Sequence, residues 1–153
     1  MDKDAFARRT TALQVSLYRV AASYLRAEAD RLDAVCEAIA KAWEKRATLR
    51  DERFFDTWMT RILIRECVNI QRRQRRAVPM ETLPERPQED SPARALEEAL
   101  ETLPQRARTM VVLYYLEGYT VKETAQIMGV TKGAVCAGLS RARSSLRALL
   151  EEE

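Results

Sequence analysis

The sequence predicts an all-α protein made of two small helical domains joined by a proline-rich acidic linker. Three observations carry this expectation. Ala, Leu, Arg and Glu dominate, while the 153 residues include only 4 Gly, so helix is favoured and the Gly-rich phosphate loops of nucleotide-binding sheets are missing. Apolar residues recur at helical spacing in separate stretches. All the prolines except Pro104 crowd into one segment, as Pro79, Pro84, Pro87 and Pro92, where they break helix and extend the residues before them. The chain is 46% hydrophobic and 32% charged, which is enough apolar material for packed cores and too much for wholesale disorder.

The predicted organisation is a first domain over residues 1–76, a linker over 77–94 and a second domain over 95–153. In the first domain Leu13, Leu17, Val20 and Tyr24 mark one helix. Leu32, Val35, Ile39 and Trp43 mark the next, whose other face carries Asp33, Glu37, Lys41 and Glu44. From about Phe54 to Arg76 no Pro or Gly interrupts a third, longer helix. At roughly 100° per residue it separates into two stripes. Phe55, Met59, Ile62, Leu63 and Ile70 form the apolar one. Arg61, Arg65, Asn69, Arg72 and Arg76 lie on the other, within roughly 80° of arc, and Trp58 falls with them. An aromatic ring among guanidinium groups can stack an unpaired base while the cations hold phosphates. Partial burial with one exposed edge would let Trp58 serve both core and surface.

The linker carries Glu81, Glu85, Glu89 and Asp90 against Arg86. Beyond it ALEEALETL forms a helix ending before Pro104. Pro104 suits the first position of the next helix, which runs to a C-terminal cap at Gly118. Then comes the sharpest local signal. Thr120 and Glu123 make a capping box, and Val121, Ala125 and Ile127 or Met128 supply an inner face. Gly129 stands where a tight turn needs a left-handed residue, Val130 anchors that turn, and Thr131 caps a second helix. There Val135 and Leu139 face inwards, leaving Thr131, Lys132, Cys136, Ser140, Arg141 and Arg143 outwards. This is a helix-turn-helix pattern with a second helix sized for the major groove.

Charge and missing residues narrow the function. The overall charge is only +3, yet Arg61–Arg76 and Tyr119–Arg147 are each basic, which points to two contacts with a polyanion. His is absent, which removes the commonest general base and metal ligand together. No nucleophile–base pair or cofactor motif stands out, and Glu97 and Glu98 read as a solvated helix face. Cys36, Cys67 and Cys136 form no CxxC and are odd in number, consistent with a reduced cytoplasmic chain. No apolar run reaches membrane-span length and no signal core follows the amino terminus.

Taken together these residues resemble the extracytoplasmic-function (ECF) group of bacterial RNA polymerase sigma factors. LYRVAASYLRAEADRLDAVCEAIAKAW looks like the start of region 2. FFDTWMTRILIRECVNIQRRQRR, with Phe55, Thr57, Trp58, Arg61 and Ile62, looks like its promoter −10 part. LPQRARTMVVLYYLEGYTVKETAQIMGVTKGAVCAGLSRARSSLRALL looks like region 4. The resemblance implies a non-catalytic initiation factor whose partners are core RNA polymerase, promoter DNA and an anti-sigma factor. It places Asp33, Glu37 and Ile39 on the surface binding the largest subunit's clamp, and Trp58, Arg61, Arg65, Asn69, Arg72, Arg73 and Arg76 on the melted −10 strand. Thr131, Lys132, Cys136, Ser140, Arg141 and Arg143 then meet the −35 duplex. Apolar residues of the Arg106–Leu116 helix would hold the second-largest subunit's flap.

The chain also departs from that family. Cys36 stands where Gln is usual, Arg65 where Asn is usual, and Asn69 where Asp is usual. Cys136 and Gly138 replace commonly basic positions, so weaker −35 reading is expected. Two other readings compete. A helix-turn-helix regulator acting without polymerase would have no need of the Trp58 stripe. A helical anti-sigma or adaptor protein of the zinc type would need His.

Overall fold

The computed structural model describes residues 1–77 and 92–151. The described residues form helices and no strand, and the chain divides into two compact units, Met1–Glu85 and Arg86–Glu153. Most of the expected linker lies outside the described residues.

The first unit holds α1 (Lys3–Ala22), α2 (Glu28–Glu44) and α3 (Phe55–Ala77). Asp2 caps α1 by accepting a hydrogen bond from the Ala5 amide at 2.8 Å. Leu13, Leu17 and Val20 are buried as the spacing requires, and the whole predicted apolar stripe of α3 is buried with them. The second helix differs from expectation. Leu32 was expected inwards but is 49% exposed, and the buried arc is Ala34, Val35, Ala38 and Ala42. Small alanines let α2 approach its neighbours closely, and this rotates the bulkier Leu32 outwards. Ile39 and Trp43 are half-buried. Trp43 packs edge-on against Phe6 at 5.2 Å, while the Arg46 guanidinium covers its ring at 3.8 Å. Arg31 is buried beside these alanines because its Nε donates to the Leu25 carbonyl at 2.7 Å, closing the α1–α2 turn.

The second unit holds α4 (Pro92–Glu101), α5 (Gln105–Val111), α6 (Val121–Met128) and α7 (Lys132–Glu151). Pro92, expected in the linker, instead opens α4 at a position that needs no amide donor. Pro104 stands one residue before the place expected for it: it is extended, and its carbonyl accepts the first helical bond of α5 from the Arg108 amide. The Arg108 side chain also closes the turn, donating to the carbonyls of Leu100 at 3.0 Å and Leu103 at 2.9 Å. The expected continuous helix to Gly118 loosens into a π turn over Val112–Leu116, with the Glu117 amide bonded to the Val112 carbonyl at 2.9 Å. Gly118 follows in the left-handed region at φ 77°.

The capping box of α6 is complete. The Glu123 amide donates to Thr120 Oγ1, and the Thr120 amide donates to Glu123 Oε1, each at 3.0 Å. Gly129 is left-handed at φ 68°. Thr131 Oγ1 accepts from the Ala134 amide at 3.1 Å and starts α7. Of the two candidates for the inner face of α6, Ile127 is buried and Met128 half-buried.

Candidate nucleic-acid interface

In the first unit the interface is built on α3. A short 3-10 turn, Glu52–Phe54, leads into it. Asp51 caps that turn by accepting from the Arg53 amide at 3.0 Å, and it also pairs with the Arg53 guanidinium at 2.8 Å. These bonds hold the Asp51 carboxyl below the usual carboxylate range. Trp58 is half-buried, with its indole tilted against buried Phe55 at 5.9 Å. One face of the ring is therefore anchored in the core and the remainder meets solvent. Arg61, Arg65, Asn69, Arg72, Arg73 and Arg76 are all exposed. Among the described residues no ion pair holds these arginines.

The one acid of this stretch, Glu66, lies on the inner side of α3. It is buried and bonded to Lys41 of α2 at 2.6 Å. The Glu66 carboxylate raises the Lys41 pKa above the ordinary lysine value, mainly through that hydrogen bond. This commits the acid to Lys41, although Glu66 still borders the groove that Arg72, Arg73 and Arg76 line. The sequence pattern alone did not show the pairing, because Lys41 and Glu66 belong to different helices.

The candidate residues fall into two groups. Trp58, Arg61 and Arg65 occupy the first half of the stripe. Asn69, Arg72, Arg73 and Arg76 line a groove of about 700 Å³ together with Asp33, Cys36 and Glu37 of α2. The acidic residues expected to face polymerase thus share a groove with the far end of the arginine stripe. Ile39 lies apart from them, roughly 160° around α2 from Glu37.

In the second unit Lys132, Cys136, Ser140 and Arg141 are exposed on α7, and Thr131 is exposed at its cap. Arg143 is exposed too, but its Nη1 donates to the Tyr115 hydroxyl at 2.7 Å. That bond draws it to the flank where α7 meets the π turn. Gly138 is not on the outward face at all. It is buried, and a methyl group built on it would overlap Met110 Sδ. The expected loss of a DNA contact there is therefore corrected: Gly138 lets α7 cross α5 closely. On the same flank Leu96, Leu100, Val111, Tyr115, Leu116 and Leu146 line an apolar groove. The π turn leaves Tyr115 and Leu116 48% and 44% exposed.

Family comparison agrees with this two-part arrangement. The model for sigma-70 region 2 matches residues 11–77, and that for sigma-70 region 4 matches residues 93–146. The chain is 32% identical over 141 residues to the RNA polymerase sigma factor SigV of Bacillus subtilis, covering 89% of this chain and 85% of that one. It is 31% identical over 142 residues to the ECF RNA polymerase sigma factor SigM of Mycobacterium tuberculosis, covering 88% and 71%. Among solved structures it is similar in fold to the Bartonella quintana sigma factor RpoE in complex with the anti-sigma factor NepR. That match has a TM-score of 0.82 at 23% identity over 96% of this chain and 97% of that one. Another is CnrH in complex with the cytosolic domain of CnrY, with a TM-score of 0.77 at 25% identity over 99% and 91%. The chain belongs to the sigma-70 family of RNA polymerase sigma factors, in its ECF group.

Proposed function

We propose that this sigma factor joins core polymerase through the Asp33 and Glu37 face of α2, seats α7 on the −35 duplex, and holds unpaired −10 bases on Trp58. The observation that carries the last role is a half-buried indole at the head of a row of arginines, none of which forms an ion pair among the described residues. Base stacking and phosphate neutralisation supply the free energy for strand opening, with no nucleotide hydrolysis by this chain. Lys132 and Arg141 take phosphates or base edges at the −35 duplex, while Cys136 and Ser140 present small surfaces to the groove floor. The apolar groove beside the π turn suits the flap of the second-largest subunit. An anti-sigma partner that covers the polymerase-binding faces is part of this reading, supported by the bound partners of both solved neighbours. The protein acts in the cytoplasm, where its polymerase is, and needs no cofactor.

The test is transcription with purified core polymerase on a genomic promoter library, followed by permanganate footprinting. Trp58→Ala and Arg65→Ala should each reduce strand opening more than closed-duplex binding. Normal opening in both variants would remove the stripe from the mechanism. Failure of the wild-type chain to bind core polymerase at low salt would favour a regulator that uses the helix-turn-helix alone.

A further inference from the structure

Arg143 is among the residues expected at the −35 duplex, yet it is the one that a neighbour holds to the flank of α7. At roughly 100° per residue it falls within about 20° of Lys132 and Cys136 on the helix. About three turns, or about 16 Å, separate it from Lys132 along the axis. The major groove is about 12 Å wide. A helix whose first turn meets base edges therefore carries Arg143 past the groove floor to the sugar–phosphate edge, where a cation meets a phosphate.

The neighbour fixes how that cation points. Arg143 Nη1 donates to the Tyr115 hydroxyl at 2.7 Å. The Tyr115 ring stands edge-on to half-buried Tyr114, with centroids 4.9 Å apart and planes at 85°, so the hydroxyl has a braced support. A phenol is a neutral acceptor. It occupies one guanidinium N–H and leaves the charge and the other donors available. A carboxylate in its place would hold the side chain and cancel its charge, and among the described residues none pairs with Arg143.

We infer that Tyr115 is a positioning residue for −35 recognition: its hydroxyl holds the Arg143 guanidinium ready for a phosphate of the −35 duplex. This rests on the proposed −35 role of α7. An arginine loose in solvent surrenders its rotamer freedom when it grips DNA. The bond to Tyr115 removes much of that freedom before DNA arrives, so less is lost on binding. Tyr115 acts through Arg143 and needs no contact of its own with the duplex.

The full chain is titrated with the upstream duplex of a promoter selected in the transcription test, over a series of salt concentrations. The variants are Tyr115→Phe, Arg143→Ala, the two combined, and Arg141→Ala. Tyr115→Phe keeps the ring and removes only the hydroxyl. It should weaken binding roughly 2- to 10-fold, the cost of immobilising one rotamer-rich side chain. Its salt slope should match wild type, because Arg143 still neutralises a phosphate. Arg143→Ala should weaken binding at least as far and lower the slope by about 1. In that background Tyr115→Phe should have no further effect, whereas a merely structural role for Tyr115 would persist there. Three results would overturn the inference: Tyr115→Phe binding as tightly as wild type or more tightly, additive losses in the double variant, or an unchanged slope in Arg143→Ala. Tighter binding would mean that the bond holds Arg143 off the DNA. A slope lowered by Arg141→Ala alone keeps the −35 role of α7 and removes the Tyr115–Arg143 part. Unchanged binding in both arginine variants removes that role and the inference together.

Discussion

A glycine inside a helix is normally an opportunity for stabilisation, since replacement by Ala gains about 1 kcal/mol of helix propensity. At Gly138 the structure reverses the sign. The added methyl would overlap Met110 Sδ and lie 3.4 Å from its Cε. Met110 is itself 2% exposed, so it has little room to retreat. Overpacking a core of this kind costs about 1–3 kcal/mol. Subtracting the propensity gain leaves Gly138→Ala destabilising by roughly 0–2 kcal/mol. The cause can be isolated with Met110→Ala, which opens space at the same contact. In that background Gly138→Ala should become stabilising by up to about 1 kcal/mol, a coupling of opposite sign between touching residues. The assay follows from where the chromophores lie. Trp43 and Trp58 are both in the first unit, so Trp fluorescence reports that unit alone while far-UV circular dichroism reports both. In urea, Gly138→Ala should shift the dichroism transition and leave the fluorescence transition in place. A stabilised single variant, or the same effect with and without Met110, would refute the packing argument and restore Gly138 as a lost surface contact.

Other expectations follow from the same contacts. Lys41→Met leaves the buried Glu66 carboxylate without its partner. Because Lys41 is itself about a third exposed, the loss should be about 1–3 kcal/mol, read as a lower urea midpoint by Trp fluorescence. The Lys41 pKa is raised on folding, so the pair contributes fully below the ordinary lysine pKa and its contribution fades as pH rises through the raised value. The wild type should lose more stability than Lys41→Met across that alkaline range. Arg141→Ala should lower the salt slope of −35 duplex binding by about 1; an unchanged slope takes Arg141 off the phosphate contacts. In the native chain a thiol reagent should label Cys36 and Cys136 but not Cys67, which is buried with its thiol pushed up to about 12. Rapid labelling of all three would show that α3 opens readily.

The sequence made some features legible because their determinants are local. Thr120 and Glu123, Gly129 and Thr131 are each read by neighbours within four residues, and every one of those caps and turns is present. The inward and outward stripes of α3 were equally clear, since a long uninterrupted helix averages its periodicity over several turns. What escaped depends on contacts between helices. Leu32 satisfies the apolar spacing of α2 yet faces outwards, because Ala34, Ala38 and Ala42 set how closely the helices pack. Gly138 stands between exposed Ala137 and buried Leu139, at a turn of the face that the sequence does not decide, and only Met110 on α5 reveals that it is inside. Phe54 reads as the start of the third helix but closes the 3-10 turn before it and is 54% exposed, and exposure cannot be read from a residue's type. The π turn had no signal in VLYYL, whose residues suit an ordinary α-helix equally well.

That wide turn has a bearing on how the upstream reader is aimed. Its amide ladder steps back five residues where the helix before it steps back four, so Val112–Leu116 accommodates one unit of chain that a regular spiral would exclude. A regular α-helical turn through the same five residues would swing everything beyond it by roughly 100° about the α5 axis. Tyr115 would then leave Arg143, although no side chain on the outward face of α7 had been altered. The heading of that helix is thus fixed by how many residues precede it as well as by which ones they are.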